Sequence, residues 1–274
     1  EKLIINILFS DEDLSNKYFK DIDYKKIIII ASSHLILPAL YINLKRKNCL
    51  NYLPVDLVKY LQEIYLINKN RNEKLIKESE EIAKILRKNK IKFTFLKGTA
   101  HIYSKIYNDI GERMIGDIDI LVNDFSLNKS IRALKEYGYE DIEYSFFEDM
   151  HYTRQIHKNK IFGVEIHTKL LDKNQAHILN SKEVLNTNLN FGNIYVPNFL
   201  FQLKHNIYNY QINDFGSALL SYNYRSYYDT YMLKKTKRFN AKKIKLNKHI
   251  NRYYMIAKIL KIPNLNSINY KENR

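Results

Sequence analysis

Two aspartates, Asp117 and Asp119, lie two residues apart in the apolar run DIDILV (117–122). If this run is a β-strand, the two carboxylates project from one face and the intervening isoleucines from the other. Carboxylates held side by side repel each other and raise each other's pKa unless a cation lies between them. Because Mg²⁺ prefers oxygen ligands and leaves positions open for water and phosphate, the pair predicts a site for Mg²⁺ or Mn²⁺.

A third carboxylate, Glu165, stands in the alternating run IFGVEIHTKL (161–170), where it shares a strand face with His167. If this strand pairs beside DIDILV, Glu165 joins the two aspartates. Three carboxylates can hold two metal ions, one activating an attacking hydroxyl and the other steadying a triphosphate and its leaving group. We interpret His167 as a supporting or packing residue rather than as a metal ligand.

A candidate phosphate-binding turn, Lys97-Gly98-Thr99, follows the apolar run KFTFL (92–96) and opens a helical pattern. A glycine at a strand-to-helix turn lets backbone N–H groups approach a phosphate, and a helix N-terminus favours an anion. Arg113 or Lys97 can add positive charge there. We therefore predict that all four residues bind the phosphates of a nucleotide.

Each of these motifs also has an ordinary structural explanation. A D-x-D pair is common at the edges and turns of sheets, and a Lys-Gly pair is common in turns. Their order along the chain is more specific: strand, Lys-Gly, helix, a strand with paired aspartates, and a hairpin with Glu-x-His. This order favours a catalytic site over three unrelated features.

The hydrophobic period divides the chain into three predicted regions. Residues 1–90 have helical spacing, and no glycine or proline interrupts the segment between Val55 and Lys90. Short β-rich runs mark a core over residues 91–195. Helical spacing returns after Pro197, so we predict a helical region over residues 196–274.

Within the core, the patterns predict a helix over TAHIYSKIY (99–107) and another from Ser126, as N-cap, to Gly138, as C-terminal glycine. The runs MHYTRQIH (150–157) and IFGVEIHTKL (161–170) are separated by KNK, which is typical of a β-hairpin.

Composition sets the broad class of the protein. The 274 residues are 45% hydrophobic, which is enough for a substantial core. The longest apolar run, around residues 27–31, is far shorter than the roughly 20 residues needed to cross a bilayer, so we expect a soluble, cytoplasmic protein with no membrane partner. Cys49 is the single cysteine, which excludes an internal disulfide and a thiolate-rich zinc site.

The chain is strongly basic, with 45 Lys and Arg against 29 Asp and Glu and a formal charge of +16. Such a charge suits a polyanionic partner, but only ten of the basic residues are Arg, and abundant Lys, Ile, Asn and Tyr also result from an A/T-rich genome. The basic run 233–249 is interpreted as a solvated helix face or loop.

The order of these motifs resembles the polymerase-beta superfamily of nucleotidyltransferases, and most closely a bacterial branch described as uncharacterised nucleotidyltransferases. The resemblance rests on LKGTAHIY (96–103), ERMIGDIDILVND (112–124), the Gly-Tyr pair at 138–139 and VEIHTKL (164–170). HLILPALYINL and FLFQLKHNIYN…RSYYDTYML resemble helical segments that flank the core of that branch. The superfamily's usual glycine–serine pair is here Gly98-Thr99, which keeps the hydroxyl.

The resemblance implies an α+β fold, in which a mixed-sheet nucleotidyltransferase core is flanked by N- and C-terminal helical regions. It implies Asp117, Asp119 and Glu165 as catalytic residues and as ligands of Mg²⁺ or Mn²⁺, with Glu165 activating or orienting the acceptor hydroxyl. The donor would be an NTP such as ATP. A nucleoside monophosphate would be transferred to a small molecule, a protein side chain or an RNA end such as that of tRNA, with release of pyrophosphate.

Two alternatives keep the same fold. One is a catalytically silent protein that binds a nucleotide or RNA, against which the three intact acids argue. The other is a toxin or defence component that binds a protein partner, which only the basic charge and the family resemblance suggest.

Overall fold

The computed structural model of the chain describes residues 1–142, 152–236 and 247–265. Four helices precede the first strand: α1 (Lys2–Phe9), α2 (Tyr24–Ser33), α3 (Leu37–Arg46) and α4 (Val55–Lys88). α4 runs for 34 residues, as the absence of glycine and proline predicts. It packs against α3, and its buried face supports the loop that leads into the central sheet.

A five-stranded sheet forms the centre of the fold. Its strands are β1 (Phe93–Phe95), β2 (Asp117–Val122), β3 (Tyr139–Asp141), β4 (Gln155–His157) and β5 (Gly163–His167). Their order in the sheet is β1-β2-β5-β4-β3. Among the described strands only β2 and β5 pair in parallel, so the sheet is mixed and the predicted α+β class is confirmed.

The apolar residues of β2 and β5 explain why these strands lie in the middle of the sheet. Ile118, Ile120, Val164 and Ile166 are all at most 1% exposed. Because side chains alternate along a strand, this apolar set covers one face and leaves the acidic residues on the other. β2 has the bounds that its sequence predicts.

The predicted hairpin is present, although its strands are shorter than the sequence runs, and positions 150–151 lie outside the described residues. β4 and β5 are antiparallel, with Gln155 opposite Val164. The backbone N–H groups of Ile161 and Phe162 donate to the carboxylate of Glu78 in α4, at 3.1 and 3.2 Å, instead of extending β5.

The two predicted core helices differ from the sequence interpretation in their bounds. The first, α5 (Lys97–Tyr103), begins two residues earlier and ends four residues sooner. The second, α6 (Leu127–Lys135), begins after Ser126, whose side chain makes no capping bond. The Asn123 side chain instead accepts from the Ser126 N–H at 2.8 Å. Gly138 has φ 85°, the left-handed conformation expected of a C-terminal glycine.

The rest of the described chain is mainly helical. The sheet is followed by a short helix α7 (Ser181–Asn186) and by a hairpin of β6 (Asn188–Phe191) and β7 (Ile194–Pro197). The remaining elements are α8 (Phe199–Tyr208), a π-helix (Asn209–Asn213), α9 (Tyr224–Lys235) and α10 (Lys248–Ile259). None of the described helices combines the length and apolarity that crossing a membrane requires. Most of the basic run 233–249, from 237 to 246, lies outside the described residues. The three-region division also stays a prediction.

Candidate active site

Parallel pairing of β2 and β5 brings the predicted acids together. Asp119 is the direct cross-strand neighbour of Glu165, Asp117 is opposite Gly163, and Leu121 is opposite His167. Paired residues of neighbouring strands project to the same side of a sheet. Asp117, Asp119, Glu165 and His167 therefore share one face, as their alternation predicts.

Asp119 is the most enclosed of the acids, at 2% exposed. Its Oδ1 atom lies 2.6 Å from Lys97 Nζ and 2.7 Å from His167 Nε2. Burial raises the pKa of Asp119, but Lys97 and His167 outweigh burial and hold that pKa below its usual value. Burial likewise opposes the charge of Lys97, yet the neighbouring Asp119 and Asp117 raise the pKa of its ammonium.

Arg154 contacts both remaining acids, a relationship that the sequence interpretation missed. Its Nη2 atom lies 2.7 Å from Asp117 Oδ2 and 2.7 Å from Glu165 Oε1, and its Nε lies 3.0 Å from the same Glu165 oxygen. Burial and the nearby Asp119 raise the pKa of Asp117, despite the cations around it. The site thus combines three acids with two cations of the chain itself.

The acids also fit a divalent cation. Asp119, Glu165 and His167 each offer one ligand atom, and these atoms lie within 4.8 Å of one another. Carboxylate oxygens are the donors that Mg²⁺ and Mn²⁺ prefer, and Asp117 stands on the same face to add another. His167 Nε2 is close enough to Asp119 to serve as its hydrogen-bond partner, and the supporting role of this histidine stays a prediction.

Of the predicted phosphate turn, only Lys97 reaches the acids. A Cβ atom at Gly98 would come within 2.7 Å of Ile115 Cγ1, so packing against the segment before β2 accounts for the glycine. Thr99 is 1% exposed, and its hydroxyl is buried without a hydrogen-bond partner among the described residues. The contact of Gly98 and Thr99 with phosphate stays a prediction.

Arg113 forms its ion pair in a buried network with Asp229 rather than with the three predicted acids. Its Nε donates to both carboxylate oxygens of Asp229 in α9, at 3.1 and 3.0 Å. The Tyr107 hydroxyl donates to the same carboxylate at 2.6 Å. The Arg113 side chain is only 11% exposed, so its predicted contact with phosphate, which stays untested, has to be compatible with this pairing.

Two asparagines on the buried face of α4 hold the loop before β2. Asn68 Nδ2 donates to the carbonyls of Gly111 and Arg113 at 2.8 and 3.1 Å, and Asn72 Nδ2 donates to that of Arg113 at 2.8 Å. The sequence signal was available, since two amides one helical turn apart interrupt an apolar face. Buried amide donors need hydrogen-bond acceptors, and the carbonyls of this loop provide them.

Comparison with protein families identifies a nucleotidyltransferase family. The model of a family described as uncharacterised nucleotidyltransferase matches residues 20–250. The chain belongs to this family. A comparison with curated proteins finds no match. Family membership confirms the predicted resemblance, and in this nucleotidyltransferase family member the acidic face of β2 and β5 is the candidate active site.

Proposed function

We propose that the protein is a nucleotidyltransferase that depends on Mg²⁺ or Mn²⁺, takes an NTP as donor and transfers its nucleoside monophosphate to an acceptor hydroxyl. The register that places Asp119 beside Glu165, with Asp117 on the same face, supports this proposal most strongly. Acids on adjacent central strands are held by the sheet itself, which gives the fixed geometry that phosphoryl-type transfer needs.

In the proposed reaction, Asp117, Asp119 and Glu165 would hold the metal. When bound there, the divalent ion would neutralise charge on the phosphate oxygens and on the leaving pyrophosphate. The acceptor oxygen forms a bond to the α-phosphorus while the bond from that phosphorus to the bridging oxygen of pyrophosphate breaks. Glu165 would orient the acceptor hydroxyl and take its proton.

Lys97 and Arg154 would hold the acids in place before the metal and substrates arrive. Both cations contact oxygens that a divalent ion would otherwise use. Burying a carboxylate without a cation costs on the order of several kcal/mol of folding free energy. Lys97 and Arg154 therefore stabilise the cluster of acids in the absence of a divalent ion. Arg154 then has to yield one of its carboxylate contacts when the ion binds.

The acceptor would be an RNA end, such as that of tRNA, a protein side chain or a small molecule, in the cytoplasm. The formal charge of +16 supports an anionic acceptor over a cationic one, because basic residues attract phosphates.

The test is incubation with each α-labelled NTP, Mg²⁺ or Mn²⁺, and either total RNA or cell extract, followed by identification of the labelled species. We expect label to be transferred by the wild type and by Asp56→Asn, which removes an exposed acid of α4, and not by Asp119→Asn. Binding of an NTP analogue without transfer from any NTP would instead indicate a silent nucleotide-binding protein.

A further inference from the structure

A small cavity of about 60 Å³, lined mainly by polar residues, lies between the sheet side of the molecule and the C-terminal helices. Its charged lining residues are Lys97 of α5, Arg113, Arg225 and Asp229 of α9, and Asp214. Amide and imidazole side chains of α8 supply much of the remaining surface. Because Lys97 also bonds Asp119, the cavity adjoins the acidic face of β2 and β5.

The buried carboxylate of this cavity is paired with only one of the two lining arginines. Asp229 is 1% exposed and already accepts from Arg113 through both oxygens and from Tyr107. Arg225 lies one helical turn before Asp229 in α9. Within the described parts of the chain, its guanidinium makes neither an ion pair nor a hydrogen bond. Asp214, the other acid of the lining, is exposed to solvent.

An uncompensated guanidinium inside a cavity is costly. The neighbouring Arg113, and after it burial, lower the pKa of Arg225 to about 10, although Asp229 and Asp214 attract its charge. Buried charges are otherwise paired, because leaving water without a partner is unfavourable. An anion in the cavity would supply the missing partner.

The chemistry of the lining indicates which anion. A guanidinium presents a planar fork of N–H donors that matches phosphate oxygens, and Lys97 adds a third cation on the side of the acids. His205 is buried in the same lining, and burial together with Lys97 lowers its pKa to about 3, so it contributes a neutral imidazole. Of the three cations in the lining, Lys97 is paired with Asp119 and Arg113 with Asp229, so Arg225 is the one placed to bind a ligand.

We propose that this cavity is a phosphate-binding site in which Arg225 contacts the ligand. The inference rests on the proposed function, because the phosphate is taken to belong to a substrate of nucleotidyl transfer. Two substrates could supply it: the β- and γ-phosphates of the NTP, or a phosphate group carried by the acceptor.

The site is tested with inorganic pyrophosphate and tripolyphosphate, titrated calorimetrically into the full chain in EDTA. We expect both anions to bind the wild type. Arg225→Gln should lower the affinity for each anion by about tenfold or more, and Arg225→Lys should lower it less. Arg132→Gln, which removes one exposed arginine outside the cavity, is the charge-matched control and should leave the affinity unchanged. Circular dichroism melting verifies that each variant is folded.

The two sources of phosphate are separated by competition. If a non-hydrolysable NTP analogue prevents pyrophosphate from binding, the cavity takes the NTP phosphates. If pyrophosphate still binds through Arg225 when the analogue is saturating, the cavity takes a phosphate of the acceptor. Either result supports the site, whereas Arg225→Gln with wild-type affinity, or a wild type that binds neither anion, overturns it.

These titrations are independent of turnover. A wild type that binds pyrophosphate through Arg225 but transfers no nucleotide would contradict the proposed function and keep the phosphate site. If the wild type transfers nucleotide and Arg225→Gln leaves the anion affinity unchanged, the proposed function is supported and the phosphate site is contradicted.

Discussion

Arg154 crosses the main chain at Gly163, where an added Cβ atom would lie 2.7 Å from Arg154 Cδ. Gly163 is also the cross-strand partner of Asp117. The missing side chain leaves the space through which the guanidinium reaches both Asp117 and Glu165. A glycine inside a strand often marks such a close approach, and here it makes Arg154 an internal counter-ion of two acids.

Removing this counter-ion should strengthen metal binding. Without nucleotide, we expect Arg154→Gln to bind Mn²⁺ about tenfold more tightly than the wild type, because a charge-assisted contact no longer competes for the carboxylates. The same variant should melt at a lower temperature in EDTA, because the acids then repel each other without compensation. Electron paramagnetic resonance of free Mn²⁺ measures the affinity, and an unchanged or weaker affinity would contradict the competition.

A second variant tests the packing of Arg154 against Gly163 without changing any charge. Gly163→Ala should displace Arg154 and shift Mn²⁺ affinity in the same direction by a smaller factor. Gly116→Ala is the matched control, since a Cβ atom there would meet nothing within 4 Å. Equal Mn²⁺ affinities for the two alanine variants would show that Gly163 does not position Arg154.

The acidic face could be predicted because its signal is local. Alternation of aspartates with isoleucines defines both the strand and the side of the sheet, and β2 has the predicted bounds 117–122. The pairing of Glu165 beside Asp119 needed one further assumption, the adjacency of the two strands, which the structure confirms.

The supporting contacts could not be predicted, because they join residues that are distant in sequence. Arg113 pairs with Asp229, 116 positions later, and its prediction as a phosphate contact was made without this partner. Asn68 reaches the carbonyl of Gly111 across 43 positions. Such contacts depend on how whole helices pack, and hydrophobic period alone does not specify which side chains meet.

Gly98 should prove essential for packing. In Gly98→Ala, the new methyl group overlaps Ile115 Cγ1, and we expect a loss of roughly 1–3 kcal/mol in the free energy of unfolding. Trimming Ile115 to alanine in the same chain should recover part of this loss. Urea denaturation of both single variants and the double variant gives the coupling. Strict additivity would show that Ile115 does not constrain Gly98.

His101 should make the fold sensitive to acid. Burial lowers its pKa from 6.5 to about 4, outweighing the attraction of Asp229. Between these two pH values the unfolded chain binds more protons at His101 than the folded chain does, so acid favours unfolding. The free energy of unfolding is therefore unaffected by His101 above pH 6.5 and falls as the pH drops towards 4, by roughly 3 kcal/mol at most. His101→Gln should flatten the decline in melting temperature from pH 7 to pH 4.5. A decline as steep as that of the wild type would exclude His101 as its source.

Substitutions of Glu165 and of Lys97 should have different effects if Glu165 acts on the acceptor and Lys97 acts on the nucleotide. Glu165→Gln keeps shape and hydrogen-bonding capacity but loses charge, so we expect an NTP analogue to bind while turnover falls by about 10² or more. Lys97→Met keeps the apolar stem but loses the ammonium that bonds Asp119. We expect it to weaken analogue binding by roughly 1.5–3 kcal/mol.

Arg113→Ala should lower the stability of the fold, in contrast to the effects on turnover and on analogue binding expected for Glu165→Gln and Lys97→Met. Because the Arg113 guanidinium forms the ion pair with the buried Asp229, its loss leaves that carboxylate with the Tyr107 hydroxyl but without this cation, and should destabilise the fold by roughly 3–5 kcal/mol. Calorimetric titration of the analogue, with melting curves for each variant, separates the three roles. If Glu165→Gln lost the analogue while Lys97→Met bound it normally, the two assignments would be reversed. If Arg113→Ala kept wild-type stability but lost the analogue, Arg113 would be a phosphate contact, as its sequence first suggested, rather than a structural partner of Asp229.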